Sequence, residues 1–157
     1  MLTTNVMRIL DAAKIEFTSL EYEYDEDDLS GVHAAANMGL PQEEVFKTLV
    51  AAGDKQPHCV FVIPVAEELD LKKCALVSGN KRVELIKVKE LQPLTGYIRG
   101  GCSPIGMKKL LPIYFDESVL LLDFVAVSAG QRGVQVRLKP EDLLSITHAQ
   151  TVDLIRY

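Results

Sequence analysis

The unbroken apolar run Val60-Phe61-Val62-Ile63-Pro64 presents no polar side chain to water. A run of this kind reads as a central strand, and the rest of the chain is read around it. To its N-terminal side, Phe46-Lys47-Thr48-Leu49-Val50-Ala51 reads as a second strand carrying one lysine. To its C-terminal side, Asp70 is placed to cap a helix running through Cys74 and Val77 to Gly79.

The remaining segments give a mixed pattern. Thr4 caps a helix whose apolar positions Val6, Ile9, Leu10 and Ala13 share one face, and a short strand follows over 17–22. The acidic run Asp25 to Asp28 reads as a solvated loop, and Val32 to Asn37 as a helix stopped by Gly39. Further strands are expected at 83–86, 112–115, 121–128 and 134–138, the last two joined as a hairpin by a wide turn over 129–133. Pro140 starts a helix through Leu144, and 152–155 closes the sheet. Without regular βαβ alternation, the expected class is mixed α/β: a largely antiparallel, barrel-like sheet with surrounding helices. At 157 residues, 48% of them apolar, the chain fits one domain over 1–157.

The chemistry concentrates in Gly96-Tyr97-Ile98-Arg99-Gly100-Gly101-Cys102-Ser103-Pro104-Ile105-Gly106, with four glycines in eleven residues and Lys108-Lys109 just beyond. Glycines let a ligand approach backbone N–H groups, which together can cradle an anion. The spacing excludes familiar signatures. Met107 follows Gly106 where a phosphate loop needs Lys, and Ile105 stands where a nucleophile elbow around Ser103 needs Gly. Three separated cysteines and three unpaired histidines imply neither disulfides nor a metal site. No segment approaches the length of a membrane span, which implies a soluble cytoplasmic protein without membrane contact.

Charge is segregated along the chain. Residues 1–30 carry eight acidic against two basic side chains, a net −6, whereas residues 72–109 carry nine basic against two acidic, a net +7. That segment would draw an anionic ligand towards the Gly-rich loop, or simply form a solvated surface.

In combination these blocks resemble the YbaK/EbsC family of aminoacyl-tRNA deacylases, which shares its fold with the editing domain of prolyl-tRNA synthetases. The resemblance rests on Phe46-Lys47-Thr48-Leu49-Val50, Leu69-Asp70-Leu71-Lys72-Lys73, Leu94-Thr95-Gly96-Tyr97 through Gly106 with Lys108-Lys109, and Val127-Ser128-Ala129-Gly130 with Arg132-Gly133. It implies a trans-editing enzyme that removes cysteine from mischarged Cys-tRNA(Pro), with tRNA(Pro) as partner, prolyl-tRNA synthetase as a second candidate partner, and no DNA. It also implies catalytic roles for Lys47, Tyr22, Gly101 and Ser103, and substrate contacts from Phe46, Thr48, Gly100, Cys102, Pro104, Ser128 and Gly130. Tyr24, two residues from Tyr22 on the same strand face, competes with it for the site.

No Ser-His-Asp or Cys-His pair is evident, and no cofactor is implied. The family mechanism is substrate-assisted: the cysteinyl thiol attacks its own ester and leaves as a thiolactone, while backbone N–H groups near Gly100 and Gly101 hold the oxyanion and Lys47 acts as an electrostatic clamp. Two other readings stay open. One is a water-using deacylase for Ala-tRNA(Pro) or another small aminoacyl-tRNA, and the other is a noncatalytic tRNA- or synthetase-binding module.

Overall fold

A computed structural model describes residues 2–157. Strands β1 (Phe17–Glu21), β6 (Val125–Gln131) and β7 (Val134–Leu138) form an antiparallel sheet in the order β1-β7-β6. Strands β2 (Phe46–Gly53), β3 (His58–Pro64), β4 (Val83–Leu85), β5 (Ile113–Asp116) and β8 (Gln150–Val152) form a second sheet in the order β4-β2-β3-β5-β8. The pairings β2-β3 and β2-β4 are antiparallel, while β3-β5 and β5-β8 are parallel. The mixed, largely antiparallel architecture is as expected from the sequence, but the sheets do not close into a barrel. They meet at one parallel bridge, Val45 to Ala126.

Strand β3 explains its own apolar run. Val60 and Val62 face a core shared with Phe46, Phe115, Val127 and Val136, whereas Phe61 and Ile63 face a second core with Cys74, Ala75 and Leu154. All four β3 side chains are fully buried, each stabilising the fold by about 1.5–3 kcal/mol. Helix α1 (Asn5–Ala12), capped by the Thr4 hydroxyl accepting from Met7 N–H at 3.3 Å, lays Val6, Met7 and Leu10 on the first core. Helix α2 (Gly31–Met38) covers a third, smaller cluster in which Ala35 packs with Val45, Val65 and Ala126. Helix α3 (Leu71–Ser78) covers the second core; Asp70 caps it by accepting from Lys72 and Lys73 N–H, and Gly79 ends it at φ +74°.

Three elements differ from expectation. Helix α4 (Val88–Thr95) was hidden by Pro93, which removes one intrahelical donor. It forms because Glu90 accepts from Lys87 N–H at 2.8 Å, Gly96 ends it in the left-handed region, and Leu94 is buried. Residues 117–121 form a 3-10 helix begun by Asp116, which accepts from Ser118 N–H, so the strand expected from 121 starts only at Val125. The closing strand lies at 150–152, and Leu154 and Ile155 instead pack into the second core. Helix α5 (Pro140–Thr147) follows its proline as expected. Among the described residues, no helix is long and apolar enough to cross a membrane.

Candidate active site

Side chains alternate across a strand, so the bridge Val45–Ala126 also orders its neighbours. Phe46 and Val127 turn into the first core, while Lys47 and Ser128 lie two residues beyond the bridge on the opposite side. Across β6-β7, Ser128 is paired with Gln135, and Gln135 is paired with Leu20 of β1. Tyr22 leaves β1 two residues later on that same face. Four polar side chains from four segments therefore line one wall where the sheets part: Lys47, Ser128, Gln135 and Tyr22.

Their electrostatics are set by partial burial. Burial holds the Lys47 ammonium below the ordinary lysine pKa, only partly offset by the charges of Glu68 and Glu67. Among the described residues it enters no ion pair within 4 Å. Burial pushes the Tyr22 phenol up, while hydrogen bonds from the Gly133 backbone and the Gln135 side chain pull it back. Tyr22 rather than Tyr24 is thus the tyrosine held against Gln135. Tyr24 is 46% exposed and packs beside Gly133, where any Cβ would come within 2.9 Å of its ring.

The Gly-rich loop lies against the β6-β7 hairpin. That hairpin is tighter than expected: Gln131 pairs with Val134 across Arg132-Gly133, and the register shift after Ser128 makes Ala129-Gly130 a β-bulge. The Ser128 hydroxyl accepts from Gly130 N–H at 3.2 Å, and Gly130 adopts φ +96°. The missing Cβ admits Tyr97, whose ring edge would lie 2.9 Å from one and whose hydroxyl donates to the Ile105 carbonyl. Gly101 rests on the hairpin backbone, and Arg132 Nε donates to Arg99 carbonyl at 2.9 Å. Gly101 N–H donates to Ile98 carbonyl at 2.9 Å and is not available as an oxyanion donor. The N–H groups on either side, of Gly100 and Cys102, donate to no acceptor among the described residues.

A narrow cleft of about 10 Å³ runs between this loop and the start of α2, where Tyr22, Leu29, His33 and Gly100 meet. His33 Nδ1 lies 3.6 Å from Asp28 and its Nε2 lies 2.9 Å from Asn37 Nδ2, which also donates to Glu23 carbonyl. With Asn37 donating to Nε2, the proton sits on Nδ1 facing the carboxylate. Hydrogen bonds from the Ser30 side chain and backbone hold the Asp28 carboxyl below the usual range. A far larger cavity, about 680 Å³, opens between α1 and β1 near Phe124 and Arg137. It contains none of the residues on the polar wall, and size alone does not make it the site.

The register thus puts Lys47, Ser128 and Tyr22 on one face, Gly101 rests on the hairpin backbone, and Gly100 lines the narrow cleft with Tyr22. Other expected residues fall elsewhere. Ser103 is fully buried inside the loop, its hydroxyl accepting from Ile105 N–H at 3.2 Å, and Pro104 is buried beside it. Phe46 is stacked on Phe115 in the first core, and Thr48 shares its face, away from Lys47. The Cys102 side chain turns towards Thr95, and burial pushes its thiol to about 12, so only its backbone faces outward chemistry. Of the basic segment, Lys73 is engaged with Asp153 at 3.0 Å and the Tyr157 ring, while Lys81, Arg82, Lys87, Lys89, Arg99, Lys108 and Lys109 are exposed. Gln135, Tyr97 and His33 were missed; the polar Gln135 between two buried valines was the signal for the first.

Residues 29–146 match the family model of the aminoacyl-tRNA editing domain. Over 151 residues, 96% of this chain and 92% of the relative, the sequence is 46% identical to an Enterococcus faecalis protein provisionally named Cys-tRNA(Pro)/Cys-tRNA(Cys) deacylase EbsC. A solved structure provisionally described as a trans-editing enzyme for prolyl-tRNA synthetase superposes with a TM-score of 0.82 at 26% identity, covering both chains in full. A second, of a hypothetical protein, gives 0.86 at 23% identity over 96% of this chain and 99% of that one, and shares the fold.

Proposed function

We propose, for a chain that belongs to the aminoacyl-tRNA editing domain family and is an aminoacyl-tRNA deacylase acting on mischarged tRNA, that the substrate is Cys-tRNA(Pro) and that the substrate's own thiol is the nucleophile. The observation that carries this reading is the absence, among the described residues at the site, of an activated protein nucleophile. Cys102 is turned inward with its thiol pushed to about 12, Ser103 is buried and hydrogen-bonded, and His33 is tied between Asp28 and Asn37.

In the proposed step the cysteinyl sulfur, having lost its proton, forms a C–S bond to its own ester carbonyl. The C–O bond to the terminal ribose then breaks, the ribose oxygen takes up a proton, and a cyclic thiolactone departs. Tethering places the sulfur beside the carbonyl, so proximity replaces a bimolecular encounter, and a thiolate far exceeds a seryl hydroxyl in nucleophilicity. Selectivity for cysteine then comes from reactivity, where a pocket alone would separate one methylene by only about 1–3 kcal/mol. The N–H groups of Gly100 and Cys102 hold the oxyanion, and Lys47, half-buried and without an ion-pair partner, stabilises the developing negative charge.

The whole chain serves as one editing domain in the cytoplasm. The exposed lysines and arginines of 81–109 grip the tRNA backbone, a contact weakened by salt, with prolyl-tRNA synthetase as a transient partner. The test is turnover of Cys-tRNA(Pro), Cys-tRNA(Cys), Ala-tRNA(Pro) and Ser-tRNA(Pro) with the released product identified. Thiolactone from the cysteinyl substrates supports the reading, and Lys47→Ala should remove at least about 10²-fold of the rate. Release of alanine with equal efficiency, or full activity in Lys47→Ala, refutes it.

A further inference from the structure

The polar wall lies across the join between the two sheets: Lys47 belongs to one, and Ser128 and, just past β1, Tyr22 to the other. Behind the Val45–Ala126 bridge the join is packed, with Phe46 and Phe115 of one sheet meeting Val127 and Val136 of the other in the first core. On the wall side it is thin. There Ala35, Val45, Val65 and Ala126 form a small cluster, and beside it stands one ion pair. Arg137 is the register partner of Ala126 and shares its face. Its Nη2 donates to Glu44 Oε1 at 3.3 Å, and Glu44 immediately precedes the bridge residue Val45, three residues before Lys47. The guanidinium lies over the ring of Phe124, 4.3 Å from Cζ to the centroid, and Phe124 stands two residues before Ala126.

This pair is a poor source of stability. Desolvation offsets the attraction of two largely buried charges, and Arg137 Nε is buried without an acceptor among the described residues. What the arrangement supplies is direction, because a planar fork held by a carboxylate at its edge and by an aromatic ring on its face has little freedom to swing. We propose that Arg137 is a positioning residue for Lys47: by tying Glu44 across the join it holds the wall side closed and keeps the ammonium at a fixed distance from the ester. The inference rests on the deacylase reading, which makes Lys47 the group to be positioned. Without the tie the sheets turn about their packed side, Lys47 draws away from Ser128 and Tyr22, and water reaches the ammonium.

The test is single-turnover deacylation of Cys-tRNA(Pro) by Arg137→Met, which removes the charge and the fork, in the wild-type and Lys47→Ala backgrounds. A displacement of about half an ångström should lower the saturating rate about tenfold, with half-saturation unchanged within about twofold. In the Lys47→Ala background the same change should cost less than about twofold, because the group it positions is gone. Glu44→Gln, which removes the partner's charge at constant size, should lose about threefold with the same dependence on Lys47, and it carries the test if Arg137→Met does not fold. Equal fold losses in both backgrounds, as a general loosening would give, overturn the proposal, and so does wild-type turnover in these variants. The Lys47 Cε titration midpoint is read by NMR in Glu44→Gln. Loss of a nearby carboxylate would by itself lower that midpoint, whereas relief of burial raises it, so a rise towards the ordinary lysine value reports the opened join. If wild type hydrolyses no aminoacyl ester but the midpoint rises, the deacylase reading falls and the positioning of Lys47 stands. A midpoint unmoved or lowered overturns that positioning whatever the turnover.

Discussion

Gly101→Ala should damage the enzyme by moving the loop. An added Cβ would stand 3.1 Å from Gln131 C, 3.2 Å from Arg132 N and 3.2 Å from Gln131 Cα. Ordinary contact begins a few tenths of an ångström further out, so the surfaces must part by roughly 0.3 Å, and repulsion rises steeply at that range. Neither side yields easily. The hairpin is pinned by its pairing and the Ser128–Gly130 bond, and the loop by Gly101 N–H on Ile98 carbonyl and Arg132 on Arg99 carbonyl. Since about 1 Å of misplacement can lower a rate 10²-fold, a shift of a third of that should lower kcat/KM about three- to tenfold. Overpacking should cost about 1–3 kcal/mol in stability. The assay is single-turnover deacylation beside thermal unfolding, with Gly79→Ala as the control. Gly79 has φ +74° and nothing within 4 Å of an added Cβ, so alanine there carries only the left-handed backbone penalty of about 1–2 kcal/mol. It should lower Tm by about 2–4 °C per kcal/mol and leave kcat/KM alone. Wild-type turnover in Gly101→Ala, or an equal loss in Gly79→Ala, would refute the idea that this contact sets the loop's position.

Lys47→Met should abolish turnover without lowering Tm. Burial depresses the ammonium's pKa, so the fold disfavours its charged form; below that pKa the unfolded chain holds the proton more tightly, and removing the charge relieves the fold. A fall in Tm comparable to the loss of a core residue would contradict this, as would a Lys47 Cε titration midpoint in NMR at or above the ordinary lysine value. Tyr97→Phe keeps the ring over Gly130 but deletes the bond to Ile105 carbonyl; with that carbonyl left to the loop alone, kcat/KM should drop several-fold while Tm falls by no more than about 4 °C, and unchanged kinetics would show that the bond does not hold the loop. Cys102, with its thiol at about 12, is only about one part in 10⁴ thiolate at pH 8, so iodoacetamide should label it far more slowly than a free thiol and Cys102→Ala should keep turnover within about twofold. Rapid labelling with loss of activity would return the thiol to the site.

The features legible in the sequence were those with local causes. Val60 to Ile63 announced a central strand, Thr4 and Asp70 their helices, and Gly39 and Gly79 the helix ends, because periodicity and capping act within a few residues. Helix α4 was not legible because Pro93 signals a break and its counterweights, the Glu90 cap and the burial of Leu94, depend on placement in space. At the candidate site, Lys47, Tyr22 and Ser128 were singled out through family resemblance, since nothing local distinguishes a functional strand lysine from a surface one. Ser103 and Thr48 were misplaced for the converse reason: proximity in sequence to Gly101 or Lys47 does not decide which way a side chain turns. The commitment of Gly101 N–H to Ile98 carbonyl is a turn detail that composition does not encode.

Strand β1 has a single neighbour, β7, and the register joins Phe17 to Leu138. More than a hundred residues must be synthesised before the first strand finds its only partner, and closing so long a loop makes this pairing a slow, nonlocal event. Until then Tyr22 has no Gln135 to face, and the wall has no Ser128. A chain still emerging from the ribosome can complete β2-β3 and α3, yet it cannot hold the polar wall together. On the proposed site, deacylase competence arrives with the last third of the chain, when β6 and β7 join β1.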